Sequence, residues 1–255
     1  YVEWAEIDGT AESQSLSYGT DMLGTDEAKE YITSNNISTS EINIALIDSG
    51  INFKKKTFID SGRVIDSGVN LSGTGTENSA QQDAGKYHGS NITSILLDNT
   101  TDNVNIIGYK VTNSSGKASI SSVATAIEIA VDNGADVINL SLGAYGTSEL
   151  LKETIEKATD SGVIIVVAAG NEADDVENYI PASYEEVFTV GAIDNRGNYA
   201  YFSNFGEEVD FVAAGYNVEL WGNQTTECDY DSGTSFSAPY ITAVAAMTLS
   251  VNPQL

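Results

Sequence analysis

Three polar side chains in this 255-residue chain are of the types that turn a serine hydroxyl into a nucleophile. Asp48 lies in Ala-Leu-Ile-Asp-Ser-Gly, His88 in His-Gly-Ser-Asn-Ile-Thr, and Ser235 in Gly-Thr-Ser-Phe-Ser-Ala-Pro. A serine hydroxyl needs an adjacent base, and His88 is the single histidine of the sequence. The chain order Asp, His, Ser is one of three unrelated orders in which the same triad geometry occurs.

Each of these residues also has an ordinary structural interpretation. Ser235 could cap a helix, an isolated histidine is usually a surface or core residue, and Asp-Ser-Gly is typical of a turn. Asp48 follows an apolar segment, however, and a buried carboxylate is costly unless it is paired. Donation from the His88 ring would satisfy Asp48 and fix the imidazole tautomer. Taken together, the three segments favour nucleophilic catalysis.

A fourth candidate is Asn171, in Val-Ala-Ala-Gly-Asn-Glu. A side-chain amide at the end of a strand can donate a hydrogen bond to the oxyanion of a tetrahedral intermediate. A Gly-Asn pair on its own is more typical of a turn.

The hydrophobic pattern alternates strands with helices. Predicted strands cover residues 42–47, 106–111, 136–142, 163–168, 187–193 and 209–213, and predicted helices cover 21–32, 88–97, 119–133, 149–159 and 235–250. Several strands are apolar on both faces, which is typical of a parallel sheet covered by helices on both sides, an α/β fold. In such sheets the functional crevice lies at the carboxyl ends of the strands, where Asp48 and Asn171 are expected.

Composition narrows the function classes. The net charge of −26, from 37 acidic and 11 basic residues, argues against nucleic acid and anionic membranes as partners. An acidic surface could steer basic substrates or could simply be solvated. No apolar run approaches the roughly 18 residues that a membrane span needs, and no signal peptide is visible. The single cysteine, Cys228, excludes an intrachain disulfide, and we interpret it as a packing or loop residue.

The four motifs, in this order, resemble those of subtilisin-like (subtilase) serine peptidases over residues 18–254. The resemblance implies a three-layer subtilisin-like fold and no cofactor. It also implies that Asp48, His88 and Ser235 form a triad that works through an acyl-enzyme. Asn171 and the Ser235 backbone N–H would form the oxyanion hole.

The same resemblance implies segments that bind an extended peptide by pairing with it as added strands. The flanking residues would be Lys117, Ala118 and Ser119 on one side and Ser141, Leu142 and Gly143 on the other. The wall of the first specificity pocket would involve Ala168, Ala169 and Gly170, with Glu172 and the stretch near Tyr179–Ile180 further down.

The segment after the His88 helix departs from the family pattern because it is short. In many family members a longer loop wraps a tight calcium ion here. We therefore expect the tight calcium site to be absent, although Asp98 and Asp102 could form a weak one. Activity is expected to survive treatment with a chelator.

The two ends of the chain also depart from the pattern. The opening residues resemble the closing strand of a subtilase pro-region, so residues 1–17 are predicted to be an N-terminal extension derived from one. The pro-region is the expected inhibitor of its own enzyme. Residues 18–255 would form the peptidase domain, with its C-terminal elements truncated.

Three functions remain open at this point. The first is a secreted endopeptidase acting on protein or peptide substrates, and the second is a selective leader-processing peptidase that shares the site. The third is a non-catalytic binding module. The acidic stretch of Glu172, Asp174, Asp175 and Glu177 suggests a basic residue before the cleaved bond, but a solvated acidic loop explains it equally well.

Overall fold

The computed structural model describes residues 18–73, 79–81, 87–221 and 229–254. The predicted extension over residues 1–17 and Cys228 lie outside these ranges. None of the helices within these ranges is both long enough and apolar enough to cross a membrane.

Strands and helices alternate along the described chain. The strands are β1 (Ile42–Asp48), β2 (Val64–Ile65), β3 (Val104–Lys110), β4 (Val137–Leu140), β5 (Ala144–Tyr145), β6 (Ile164–Ala168), β7 (Tyr179–Ile180), β8 (Phe188–Ile193), β9 (Phe211–Ala214), β10 (Val218–Leu220) and β11 (Asp229–Asp231). The helices are α1 (Tyr18–Leu23), α2 (Thr25–Ser34), α3 (Lys56–Ser61), α4 (His88–Asp98), α5 (Ile120–Asp132), α6 (Glu149–Asp160) and α7 (Thr234–Val251), with a 3₁₀ turn at Val176–Asn178.

One parallel sheet organises the described residues, in the order β2-β3-β1-β4-β6-β8-β9. Because side chains alternate along a strand, β1 buries Ile44 and Leu46 on one face and Ala45 and Ile47 on the other. The first face is covered by α4 and α7, and the second by α5 and α6. The predicted α/β fold with helices on both faces is confirmed.

Element boundaries differ from the prediction where backbone geometry intervenes. The single helix predicted over residues 21–32 is wrong: Gly24 adopts a left-handed conformation, with φ of 63°, and separates α1 from α2. The strand predicted over 136–142 ends at Leu140, and α7 begins one residue before the predicted start. The sequence pattern did not predict α3 or the two small antiparallel pairs, β5 with β7 and β10 with β11.

The sheet brings three chain segments to one edge. Strand β1 pairs with β4, and β4 pairs with β6, all in parallel, so their carboxyl ends lie side by side. Asp48 is the last residue of β1, Ser141 directly follows β4, and Asn171 comes three residues after β6. The fold therefore places these three residues along one crevice.

Candidate active site

A carboxylate and an imidazole meet at the end of β1. Asp48 is 1% exposed, and its Oδ1 and Oδ2 lie 2.8 and 2.9 Å from His88 Nδ1. The Ser49 backbone N–H also donates to Asp48 Oδ1, at 2.5 Å. Two donors therefore satisfy the buried carboxylate, and its bond to the ring leaves His88 Nε2 unprotonated and directed away from Asp48 in the neutral form.

The start of α4 holds His88 against this carboxylate. Gly89 packs so closely that a Cβ atom there would lie 2.3 Å from the Gly50 carbonyl oxygen, so a side chain would push the helix away. The Gly89 N–H donates to Ser49 Oγ at 3.0 Å, which joins the helix to the end of β1. These contacts explain the Gly that follows His88.

Charge around the imidazole changes its acidity. Desolvation acts to lower the pKa of His88, but the charge of Asp48, the hydrogen bond that the His88 ring donates to Asp48 and the charge of Asp231 outweigh it. The net effect raises the pKa above its usual value of 6.5. His88 therefore becomes a neutral base only at a higher pH than a free histidine does.

Ser235 is half-buried in the first turn of α7 and lines the same cleft as His88. Its hydroxyl donates to the Ser141 carbonyl oxygen at 3.3 Å. Within the described residues no hydrogen bond joins Ser235 Oγ to His88, so the hydroxyl must rotate from Ser141 to reach the imidazole. Hydrogen bonds between catalytic side chains are often long in a protein without substrate, and they tighten when substrate binds.

A proline in α7 changes how the Ser235 backbone is bonded. Pro239 is the sixth residue of the helix, so its missing N–H is the one that would have reached the Ser235 carbonyl. Because the sixth residue lies beyond the first turn, Pro239 removes one hydrogen bond from the helix. The Ser141 hydroxyl takes the place of that N–H and donates to the Ser235 carbonyl at 2.9 Å.

Buried polar side chains behind Ser141 continue this network. Asn139 Nδ2 donates to Ser141 Oγ at 3.0 Å, and Thr242 Oγ1 donates to Asn139 Oδ1 at 2.8 Å. Asn139 and Thr242 are both fully buried, so no solvent competes for these bonds. The network fixes the carboxyl end of β4 against α7 at Ser235.

Asn171 is held by its side-chain oxygen, which leaves the amide nitrogen available. Its Oδ1 accepts from the Thr234 N–H at 2.8 Å and from Thr234 Oγ1 at 3.1 Å. Thr234 Oγ1 in turn accepts from the Gly170 N–H at 3.0 Å. Asn171 Nδ2 donates no hydrogen bond within the described part of the chain. It lines the cleft as a free donor, as an oxyanion site requires.

Asn204 is a site residue that the sequence did not reveal. It is fully buried, and its Nδ2 donates to the Ala169 carbonyl and to Glu172 Oε2, both at 3.0 Å. Its Oδ1 accepts from the N–H groups of Glu172 and Asp174, at 2.9 and 3.2 Å. One side chain thus shapes the loop that carries Asn171, yet Ser-Asn-Phe-Gly reads only as a turn in the sequence.

The cleft has a volume of about 650 Å³ and contains all four candidate residues, Asp48, His88, Asn171 and Ser235. Most of the predicted substrate-binding residues also line it: Ser141, Leu142, Gly143, Ala168, Ala169, Gly170, Glu172 and Tyr179. Strand β5 pairs with β7, which places Tyr145 beside Tyr179 at the cleft wall.

The other predicted substrate segment lies beside the cleft. The lining reaches Gly116 and Thr112 but does not include Lys117, Ala118 or Ser119, which are exposed. Ser119 caps α5 by accepting from the Ser122 N–H. In the described ranges no group of three or more His, Cys, Asp or Glu side chains is arranged to hold a metal ion.

Comparison with known sequences identifies relatives of this chain. A sequence model described as the Subtilase family matches residues 39–255. The chain is 33% identical to subtilisin DY of Bacillus licheniformis over 95% of its own length and 88% of that relative. It is 31% identical to an alkaline protease of Alkalihalobacillus alcalophilus, over 99% of this chain but only 64% of that relative.

Solved structures give the same result. The fold superposes on a cold-adapted subtilisin-like serine proteinase with a TM-score of 0.74 and 29% identity, covering 85% of this chain and 78% of that one. It also matches a protease from Pseudoalteromonas arctica with a TM-score of 0.72 and 25% identity. The chain therefore belongs to the subtilase family of serine peptidases.

Proposed function

We propose that this subtilase is a secreted serine endopeptidase that cleaves extended peptides through Asp48, His88, Ser235 and Asn171. The observation that carries the proposal is the buried Asp48 carboxylate on His88 Nδ1, in the cleft that Ser235 and Asn171 also line. Burial makes an unpaired carboxylate costly, so this pairing is best explained by a base that must be oriented. Secretion is proposed from the family and from the acidic charge.

The proposed chemistry assigns one role to each side chain. Ser235 Oγ attacks the scissile carbonyl carbon as its proton passes to His88 Nε2, and Asp48 stabilises the imidazolium. Asn171 Nδ2 and the Ser235 N–H, at the start of α7, donate to the oxyanion. His88 then protonates the leaving amine, which gives an acyl-enzyme, and water hydrolyses the acyl-enzyme by the reverse proton transfers.

Two assays separate the candidate functions. A fluorophosphonate probe should label the folded protein, and unfolded casein should be degraded by it. Labelling with little casein degradation would favour the selective leader-processing peptidase instead. Folded protein that accepts no label would be either a binding module, which contradicts the proposal, or a peptidase inhibited by its own pro-region.

Glu172 favours substrates with a basic residue before the cleaved bond. Its Oε2 accepts from the Asn171 N–H at 2.8 Å and from Asn204 Nδ2 at 3.0 Å, so fixed donors hold the carboxylate in the cleft. Among the cleft-lining residues that the structure describes, Glu172 and Asp48 are the acids, and neither Lys nor Arg occurs. A lysine or arginine side chain of the substrate would meet negative charge there.

Glu172→Gln tests this preference. The amide keeps an acceptor for both donors but removes the charge, so kcat/KM for a lysine peptide should fall about 3–10-fold relative to a matched leucine peptide. The difference should shrink as salt is added. Glu177→Gln is the control, because Glu177 is exposed on the same acidic stretch outside the cleft lining. Equal losses of kcat/KM on both peptides would show that the Glu172 charge does not select a basic residue.

Ser141→Ala tests the hydrogen bond from the Ser141 hydroxyl to the Ser235 carbonyl, which we call the clamp. The Ser235 carbonyl would lose its donor, and Pro239 prevents α7 from supplying another. We expect kcat to fall about 3–10-fold at nearly constant KM, and the thermal midpoint to fall by roughly 3–6 °C. Ser121→Ala, an exposed serine on α5, should change neither quantity. Unchanged kcat in Ser141→Ala would show that the clamp does not position Ser235.

A further inference from the structure

The turn at the carboxyl end of α4, residues 97–101, closes around a buried arginine. Arg63 is 8% exposed, and its Nη1 donates to the Thr101 carbonyl at 2.8 Å and to the Thr100 carbonyl and hydroxyl at 3.3 and 2.9 Å. Its Nη2 donates to the Leu97 carbonyl at 2.8 Å. Backbone oxygens from three residues of one short turn therefore converge on a single guanidinium.

A second cation lies at the same turn. Lys29 of α2 donates from Nζ to the Asp98 carbonyl and pairs with Asp26 at 2.5 Å. Thr25, the first residue of α2, donates to Asn99 Oδ1 at 2.5 Å. The last carbonyls of a helix lack intrahelical partners and carry partial negative charge, so cations at this end stabilise it. The carboxyl end of α4 is thus held by side chains of two other segments.

The same oxygens do not suit a calcium ion. Calcium takes six to eight oxygen ligands, carboxylates commonly among them, whereas the carbonyls of this turn already accept from the guanidinium. A divalent ion drawn to them would meet a fixed positive charge at hydrogen-bond distance. Asp102 and Asp98 act instead as counter-charges to Arg63: burial lowers the pKa of the guanidinium, and these two carboxylates oppose that change.

We propose that Arg63 is the resident cation of this turn and takes the place of the calcium ion that the resemblance to subtilases implies for a longer loop here. A guanidinium stays charged at any working pH, and its planar fork can bond several carbonyls at once. Because α4 begins at His88 and ends at this turn, Arg63 fixes the far end of the helix that carries the base. Neither the turn nor the helix then depends on a bound metal.

The test measures unfolding, so that it stands apart from catalysis. All variants are made in a Ser235→Ala background to exclude self-digestion, and their thermal midpoints are compared at one scan rate with and without chelator. We expect Arg63→Ala to lower the midpoint by roughly 5–15 °C and Arg63→Lys to lower it less. Arg196→Ala, which changes the other arginine of the sequence at an exposed position, should be neutral. Chelator should leave every midpoint unchanged.

Chemical rescue gives a second expected result. Methylguanidinium at millimolar concentration should raise the midpoint of Arg63→Ala and leave that of the parent unchanged.

The proposal is overturned if Arg63→Ala melts like Arg196→Ala. It is also overturned if chelator lowers the midpoint of the parent and Asp98→Asn removes that sensitivity, because a metal would then occupy the turn. If Arg63→Ala does not fold, the thermal midpoint of Arg63→Lys is compared with that of the parent and of Arg196→Ala instead.

Discussion

Ser235→Ala is expected to abolish labelling by a fluorophosphonate and to lower kcat by about 10⁶-fold, the value established for the equivalent loss in subtilisin, a relative of this chain. The hydroxyl oxygen is the only heavy atom that this substitution removes. Ser235 lies at the start of α7, in the cleft that His88 and Asn171 also line. The measurement compares labelling and peptide hydrolysis by wild type and variant, with circular dichroism to show that both are folded.

Ser237→Ala is the matched control for this result. Ser237 lies on the same helix two residues further on, but it is buried and faces the carbonyls of Ala213 and Ala214. It is absent from the cleft lining, so its removal should leave labelling intact even where it lowers stability. Persistent labelling of Ser235→Ala would show that another residue is the nucleophile.

Asp48→Asn is expected to lower kcat by about 10⁴-fold while leaving the fold intact. The Ser49 N–H, which now donates to Asp48 Oδ1, would keep the amide oxygen of the new residue in place. Its NH₂ group would then point at His88 Nδ1 and donate to it, which leaves the proton on Nε2. In that tautomer His88 cannot accept the proton of Ser235. Peptide hydrolysis at saturating substrate measures the loss.

The pH profile of the residual activity of Asp48→Asn distinguishes an electrostatic role of Asp48 from a structural one. In wild type the charge of Asp48 raises the pKa of His88, so kcat/KM should rise with pH through a value above 6.5. Without that charge desolvation dominates and lowers the pKa, so the acid limb of the variant should move to lower pH. Asp231→Asn removes a weaker, exposed charge and should shift the limb slightly at nearly unchanged kcat. An unmoved limb in Asp48→Asn would contradict the assigned role.

The sequence by itself determined which residues could do chemistry and what kind of sheet carries them. Apolar runs such as 42–47 and 163–168 fix strands by local hydrophobicity, and a strand apolar on both faces must be covered on both. Parallel strands bring their carboxyl ends together, so Asp48 and Asn171 could be placed at one edge before any contact was known. Those predictions depend on short-range patterns, which the amino-acid order records directly.

The tertiary structure alone decided how these residues are held. Ser141 bonds the Ser235 backbone across 94 residues, Asn204 shapes the Asn171 loop across about 30, and Arg63 reaches Leu97 across 34. A side chain that satisfies a distant carbonyl leaves no period and no motif in the sequence, because its partner is set by the packing of other elements. The proline of α7 illustrates the point: the amino-acid order shows that Pro239 lacks an N–H donor, but only the fold shows that the Ser141 hydroxyl supplies one.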